Sequence, residues 1–386
     1  MEVPLRDTYL DNAATTYPKP EAVYRAMERF AREGGGNPGR SGHHRSLHAA
    51  REVLGAREAV ARLLAVDDPS RIVFTKNATE ALNLVIQSVL APGGHAVTTS
   101  LEHNSVWRPL EAMARRGEVS YTIVDCAPDG TLDVNGLEAA LLPATRLIAC
   151  THASNVTGGL LPLDEVAELA AARGVPLLVD AAQTAGRYEV APESMGVQYL
   201  AFSGHKELFG PQGTGALYIA PGWELEPLTY GGTGSRSESS TQPDFLPDRY
   251  ESGTLNAPGL AGLRAGVEFV LETGLEEIRR HERDLAQRLL EGLLRLRGAT
   301  VYGPRDWGSR VGIISFNLEG FSSSEVASRL DGAYGICVRS GLHCSPLAHR
   351  TIGTLRSGTV RASFSYLNSA EDVDYLLACL GEISGG

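Results

Sequence analysis

Between about residues 46 and 220, stretches with apolar positions at helical spacing alternate with short apolar runs of strand length. Ser46 to Val66 carries Leu47, Ala50, Val53, Leu54, Val60 and Leu64 on a helical period. Arg71–Thr75, RIVFT, predicts a strand, and 77–90 predicts a helix. Short buried strands are expected at 96–99, 119–124, 146–150, 176–180 and 199–202. Helices are expected between most of them, at 104–116, 133–142 and 163–173. Strands alternating with helices of this length imply βαβ units, an α/β class and a mainly parallel sheet. Ligands of such sheets bind beyond the carboxyl ends of the strands. The residues that follow each strand are therefore where chemistry is to be sought.

The pattern changes at 221–257, a polar stretch rich in Gly, Ser and Pro and without a period. It is too long for an idle connection, and reads as a functional loop or a crossing to a partner subunit. Helical patterns follow at 258–273 and 275–297. Then come a strand (311–316), a helix (323–331), a strand (336–339) and a last helix (369–381). This predicts a second, smaller α+β domain.

A chain of 386 residues has room for two domains. Thirty-five Lys and Arg against 46 Asp and Glu leave a net charge of −11. That balance argues against a broad nucleic-acid surface but permits a local basic pocket. Gly (43) and Pro (20) fall short of a low-complexity composition, so the glycines read as turns and ligand loops. The cysteines, Cys126, Cys150, Cys337, Cys344 and Cys379, are odd in number, scattered and without a CxxC pair, which fits a reducing compartment. The first twenty residues show no basic stretch followed by an apolar run, and no window holds 18 unbroken apolar residues. A cytoplasmic protein without a membrane span is expected.

Asp180 closes the apolar run VPLLVD. A buried carboxylate there needs a partner, and a cationic ring nitrogen would serve; a helix cap or a surface arginine would also account for it. Gln183, three residues on, can hydrogen-bond a phenolic oxygen. Ser203-Gly204-His205-Lys206 follows the apolar strand YLAF. A lysine so placed can form a Schiff base if burial lowers its pKa, although a surface loop lysine is the plain alternative. Asn77-Ala78-Thr79-Glu80 opens a helix after RIVFT, where free backbone N–H groups suit phosphate, or where Asn77 is an ordinary cap. His103, in Glu102-His103-Asn104, sits where an imidazole could stack on a flat ligand or cap a helix. Cys344 lies in VRSGLHCSP, flanked by Gly, His and Pro, where His and a nearby Arg could favour its thiolate. Cys126 and Cys150 read instead as small buried hydrophobes. Arg361, in TVRASFSY, offers a two-pronged fork for a substrate carboxylate. His43, His44 and His48 lack a further ligand at recognisable spacing, so no metal is expected. There is no GxxxxGK[ST], and GPQGTG precedes a strand where a dinucleotide fingerprint would open a helix.

Taken together and in this order, these segments resemble aminotransferase class V, and within it the cysteine desulfurase and selenocysteine lyase group. The resemblance runs from YLDNAATT through FTKNATEALNLV, LEHNSVW, SNVTGGLLPL, VDAAQTAG, AFSGHKELFGPQGTGALY and YESGTLNAPG to VRSGLHCSPLAH and VRASFSYLNS. It is strongest to the branch in which the cysteine follows Arg-x-Gly-x-His. It implies the fold type I architecture of pyridoxal-phosphate transferases, with a large domain at 15–257 built on a seven-stranded type of sheet. A small α+β domain, 1–14 and 258–386, would carry the Cys344 loop and Arg361. Lys206 would hold pyridoxal 5'-phosphate, Asp180 would pair with its ring nitrogen, and Gln183 with its ring oxygen. His103 would stack on the ring and take part in catalysis. Ala78, Thr79, Ser203 and His205 would hold the phosphate, completed by Gly253-Thr254 of a neighbouring subunit in a homodimer. Arg361, with Asn155 and Ala13, would bind the substrate. The implied reaction converts L-cysteine to L-alanine, with sulfur passing to Cys344 as a persulfide and on to a protein or thiol acceptor. A selenocysteine lyase, or another lyase or transaminase of amino acids, is the alternative on the same fold.

Three departures from that branch stand out. Leu342 occupies a position where a second His often precedes His-Cys. Arg187 replaces a common His after the DxAQ stretch. The segment between Gly232 and Tyr250 is somewhat short. None touches the cofactor residues; they bear on the acceptor and on the Cys344 loop.

Overall fold

The computed structural model describes residues 7–39, 41–90 and 93–385. The first part of the chain gives β1 (Thr8–Tyr9), α1 (Glu21–Arg29), α2 (His44–Leu63), β2 (Ile72–Thr75), α3 (Ala78–Val89), β3 (His95–Thr99) and α4 (Asn104–Arg115). It continues with β4 (Ser120–Val124), α5 (Val134–Ala139), β5 (Thr145–Thr151), α6 (Leu163–Arg173), β6 (Leu177–Asp180), β7 (Tyr199–Ser203) and β8 (Gly215–Ile219). After a long irregular stretch come α7 (Ala257–Thr273), α8 (Leu275–Arg295), β9 (Ala299–Tyr302), β10 (Ile313–Leu318) and α9 (Ser323–Tyr334). The chain closes with β11 (Ile336–Cys337), β12 (Arg339–Gly341), α10 (Pro346–Thr351), β13 (Thr359–Ser363) and α11 (Ala370–Gly385).

Seven strands form one sheet in the order β2-β8-β7-β6-β5-β3-β4. Only β8 runs against its neighbours; the pairs β7–β6, β6–β5, β5–β3 and β3–β4 are parallel. The expected α/β class with a mainly parallel sheet is what the molecule has. Strands β3, β6, β7 and β8 are buried at every position. That is why they read as unbroken apolar runs and not as alternation: helices cover both faces. On one face Val53, Val60, Ala167 and Val267 of α2, α6 and α7 pack on Val97, Val179, Leu200 and Phe202. On the other, Leu82, Val85 and Leu110 of α3 and α4 pack on Ala96, Leu178 and Leu217. Truncating any of these fully buried leucines would cost ~2–5 kcal/mol.

The later part of the chain forms a four-stranded antiparallel sheet, β12-β13-β10-β9. Its core draws on Leu289 and Leu293 of α8, Leu330 of α9, Leu376 and Leu380 of α11, and Phe316 and Val360. Leu10, from the start of the chain, belongs to this core, and β1 pairs in parallel with β11. The strand expected at 336–339 is two strands in two sheets, parted at Val338. The helix expected at 133–142 is six residues long, and α1 and β9 were not expected from the pattern. Of the expected N-terminal segment 1–14, residues 1–6 lie outside the described residues, as does the opening of the stretch read for a leader. Among the described residues no helix is long and apolar enough to cross a membrane, and no group of three or more His, Cys, Asp or Glu is placed to hold a metal.

Candidate active site

The carboxyl ends of β2, β5, β6 and β7 open onto a cavity of about 250 Å³. Lys206, Asp180, Gln183, His103, Ala78, Thr79, Ser203, His205, Asn155, Ala13 and Arg361 all line it. Cys344, Gly253 and Thr254 are not among its lining residues.

Asp180 is the last residue of β6 and is buried. Its Oδ1 accepts from Ala182 N at 3.0 Å. Burial pushes its carboxyl up, and the Ala182 bond and nearby Lys206 only partly offset this. Lys206 follows β7 in a turn closed by Phe209 N on its carbonyl, 2.9 Å. Burial lowers its amine below the usual lysine range, against the pull of Asp180. A buried lysine so depressed is a usable nucleophile and base.

His103 caps α4: its Nδ1 accepts from Ser105 N at 3.1 Å and meets Ser105 Oγ at 2.8 Å. That commitment of Nδ1 places the ring hydrogen on Nε2. Burial, with Lys206, Arg339, Arg108 and Arg361 nearby, pushes its pKa down to about 3, so the ring is neutral. Ser105 Oγ is in turn 2.7 Å from Thr79 Oγ1. Thr79 stands in the first turn of α3, capped by Asn77 Oδ1 on Glu80 N at 3.0 Å. Asn77 caps the helix, and the helix start faces the cavity. Ala78 N donates to Ser203 Oγ at 3.2 Å.

Arg361, on β13, is fully buried. It donates through Nη1 to Asn155 O at 3.0 Å and through Nη2 to Asp11 Oδ1 at 2.6 Å, while its Nε has no partner. Arg339 on β12 stands directly opposite Arg361 in the strand register and also lines the cavity. Two like charges face to face repel, and an anion between them would relieve it. Asn155 is held by the neighbouring loop: its Nδ2 donates to His343 O at 2.7 Å and its Oδ1 accepts from Ser345 Oγ at 2.6 Å. Ala13 likewise has both backbone groups engaged, N with Ser363 Oγ at 2.9 Å and O with Gln183 Nε2 at 3.1 Å.

Cys344 is exposed, in contrast with buried Cys126 and Cys150. It and His343 take left-handed backbone angles, φ 60° and 48°. Its carbonyl accepts from Asn104 N at 2.8 Å, and Arg339 Nη2 lies 3.4 Å from its Sγ. Gly253 and Thr254 are exposed on the long loop. That loop is pinned just before them by Glu251, whose buried carboxylate pairs with both terminal nitrogens of Arg57 at 2.8 Å.

Three groups near the site were given no structural role by the reading of the sequence. Arg339 was noted only as a basic neighbour of Cys344, yet it also faces Arg361. Glu102 is fully buried, with Oε1 accepting from Thr99 Oγ1 at 2.6 Å and Thr151 N at 3.1 Å. Burial raises it to about 8. Arg187 pairs with two glutamates behind Lys206. A charged residue beside a known motif was the only available signal for any of them.

Whether pyridoxal phosphate fits can be tested on unsatisfied atoms. Gln183 Oε1 and His205 Nδ1 are buried without a hydrogen-bond partner, and both residues line the cavity. Asp180 is a buried acid facing the same space. A planar cationic ring with polar substituents and a phosphate matches these demands.

Comparison with known proteins finds one family over nearly the whole chain. The sequence profile of aminotransferase class V matches residues 8–376. A probable cysteine desulfurase of Methanothermobacter thermautotrophicus is 37% identical over 99% of this chain and 96% of its own length. A cysteine desulfurase of Yersinia pestis is 35% identical over 97% of this chain and 93% of its own. Among solved structures, the apo cysteine desulfurase of Thermococcus onnurineus superposes with a TM-score of 0.91 at 34% identity, covering 98% of this chain and 95% of that one. The S-sulfonic acid form of an Escherichia coli cysteine desulfurase gives 0.87 at 30%, covering 97% and 94%. With its fold and nearly its whole length in agreement, the chain belongs to the aminotransferase class V family.

Proposed function

We propose that the chain is a pyridoxal-phosphate-dependent cysteine desulfurase, converting L-cysteine to L-alanine and passing the sulfur through Cys344 to an acceptor. The observation that carries the reading is one juxtaposition: an exposed cysteine with Arg339 on its sulfur, beside a cavity that joins Lys206, Asp180 and Arg361. Lys206 would hold the cofactor, with Asp180 at the ring nitrogen, Gln183 at the ring oxygen and His103 over the ring. Ala78, Thr79, Ser203 and His205 would take the phosphate. The bound cofactor supplies an electron sink for the carbanion left at the substrate Cα.

The chain's own residues do the rest. Arg361, its Nε free, takes the substrate carboxylate and turns the Cα hydrogen towards the site. Lys206, its amine lowered below the usual lysine range by burial, accepts that proton and can return it. His103 stays neutral, so it presents an N–H and adds no charge to a site already rich in cations. Cys344, giving up its thiol proton, attacks the substrate sulfur and forms an S–S bond. The S–Cβ bond breaks with its electron pair going to the three-carbon fragment, which takes up a proton at Cβ and leaves as alanine. The persulfide stays on Cys344 until a thiol acceptor removes it. Asn155 and Asn104 hold the loop from which Cys344 reaches in.

We place the cofactor-carrying part at 15–257 and the smaller part at 1–14 with 258–386. The exposed Gly253-Thr254 would complete the cup of a second subunit in a homodimer. The deciding experiment adds L-cysteine and a reductant to purified protein and assays alanine and sulfide together. Cys344→Ala should keep the visible cofactor band and lose at least ~100-fold in kcat. Unchanged sulfide release by that variant would sink the mechanism.

A further inference from the structure

Directly behind Lys206 lies a charged cluster closed off from bulk solvent. Arg187, Glu207 and Glu282 are 1%, 2% and 2% exposed. Arg187 Nη2 pairs with Glu207 Oε2 and also donates to Phe364 O at 3.3 Å. Its Nε approaches Glu282 Oε2 at 2.9 Å, without the alignment of a directed hydrogen bond. Three distant pieces of chain meet here. Arg187 ends the turn that begins at Asp180 and carries Gln183. Glu207 is the residue after Lys206. Glu282 comes from α8, and Phe364 directly follows β13, the strand of Arg361. The approach is tight: at Gly186, φ 105°, a Cβ would stand 2.6 Å from Glu207 O.

We propose that Arg187, Glu207 and Glu282 form a buried positioning triad that shares one proton, with Glu282 as the neutral member, and that fixes the Lys206 loop against the strand of Arg361. The charge count supports this. One guanidinium cannot balance two carboxylates in a site closed to bulk solvent. The groups facing the cluster are Lys206 and Lys19 near Glu207, Tyr188 beside Arg187, and Arg279 and Arg283 of α8 around Tyr188. Both lysines already answer to other demands: Lys206 lines the cavity, and Lys19 donates to Thr16 O at 3.0 Å. Geometry names the protonated partner. Glu207 is paired by Arg187, while both oxygens of Glu282 lack a directed bond. Burial raises both acids. A neutral Glu282 leaves an ion pair of balanced charge next to Lys206, so the lysine feels little net field from behind.

The link from the triad to Lys206 rests on the proposed function, whereas the shared proton does not, and the test separates them. Full-length protein as purified is melted between pH 6 and 9, as wild type and as Glu282→Gln, Glu207→Gln and Arg187→Met. A carboxyl whose folded pKa is raised stabilises the fold below its ordinary range and loses that contribution as pH rises towards the folded value. Gln at 282 mimics the neutral acid and has nothing to lose. Its Tm should lie within about 3 °C of wild type at pH 6 and gain on wild type steadily towards pH 9. Glu207→Gln and Arg187→Met should each lose about 6 °C or more. A Tm gap between Glu282→Gln and wild type that stays constant with pH overturns the shared proton, even if the other two variants do not fold. The second readout is the pH midpoint of the visible cofactor band. It should move in Arg187→Met or Glu207→Gln and stay in Glu282→Gln; equal midpoints in all would remove the link to Lys206.

Discussion

Single residues in this site are set by what surrounds them more than by what they are. His103 is held neutral because burial and four neighbouring cations oppose its charge. Its folded pKa lies below the ordinary value, so its stabilising contribution is complete above about pH 6.5 and fades as pH falls towards 3. His103→Gln should therefore lose less stability than wild type between pH 7 and pH 5, read from paired thermal melts. An equal loss in both would mean that the imbalance lies elsewhere. Lys206 and Asp180 could be singled out in the sequence because each is a charge at the end of an apolar run, and Arg361 because it is a charge inside one. Glu207 and Glu282 could not, and Arg187 stood out only as a departure from a common His. Each looks like a surface charge until three segments far apart in the chain are folded onto one another.

At the scale of elements, the chemistry follows the strand ends. Asp180 and Ser203 close β6 and β7, Asn155 and His103 follow β5 and β3, and Ala78 follows β2. This part of the fold was readable because parallel strands covered on both faces are apolar throughout and bounded by polar turns. What the pattern concealed was short or amphipathic. β1 and β11 have two residues each, and their pairing is fixed by the folded molecule and not by any local period. α1 is mostly exposed, with Val23 its one buried residue among those described. The split of 336–339 into two strands depends on which sheet each half joins. One close contact governs the start of α3: a Cβ on Gly215 would stand 2.7 Å from Asn77 Cα. Gly215→Ala should push the helix start away from Ser203 and raise the dissociation constant for pyridoxal phosphate by about tenfold or more. Cofactor titration by absorbance reads this directly, and unaltered affinity would mean that the helix start does not hold the phosphate.

For the molecule as a whole, the question is whether one chain suffices. Gly253 and Thr254 sit at the surface, away from their own cavity, on a loop whose root is anchored by the buried Arg57–Glu251 pair. If they complete a neighbour's site, two inactive variants should rescue each other. Mixed dimers of Lys206→Ala and Thr254→Arg contain one site with both parts intact, so coexpression should restore activity that neither variant has alone. No rescue, from dimers verified by sedimentation, would place Thr254 outside the site.

The Cys344 loop has a consequence of another kind. Cys344 O is fastened to Asn104, and its neighbours on both sides are fastened to Asn155. If Cys344 carries the sulfur, a carrier tethered this way is a mooring, not a ferry. Its load would not swing across the surface, so every acceptor would dock at the same berth. The pace of repeated cycles would then be set by traffic: a chain left without visitors would fill its one berth and stop after a single sulfur.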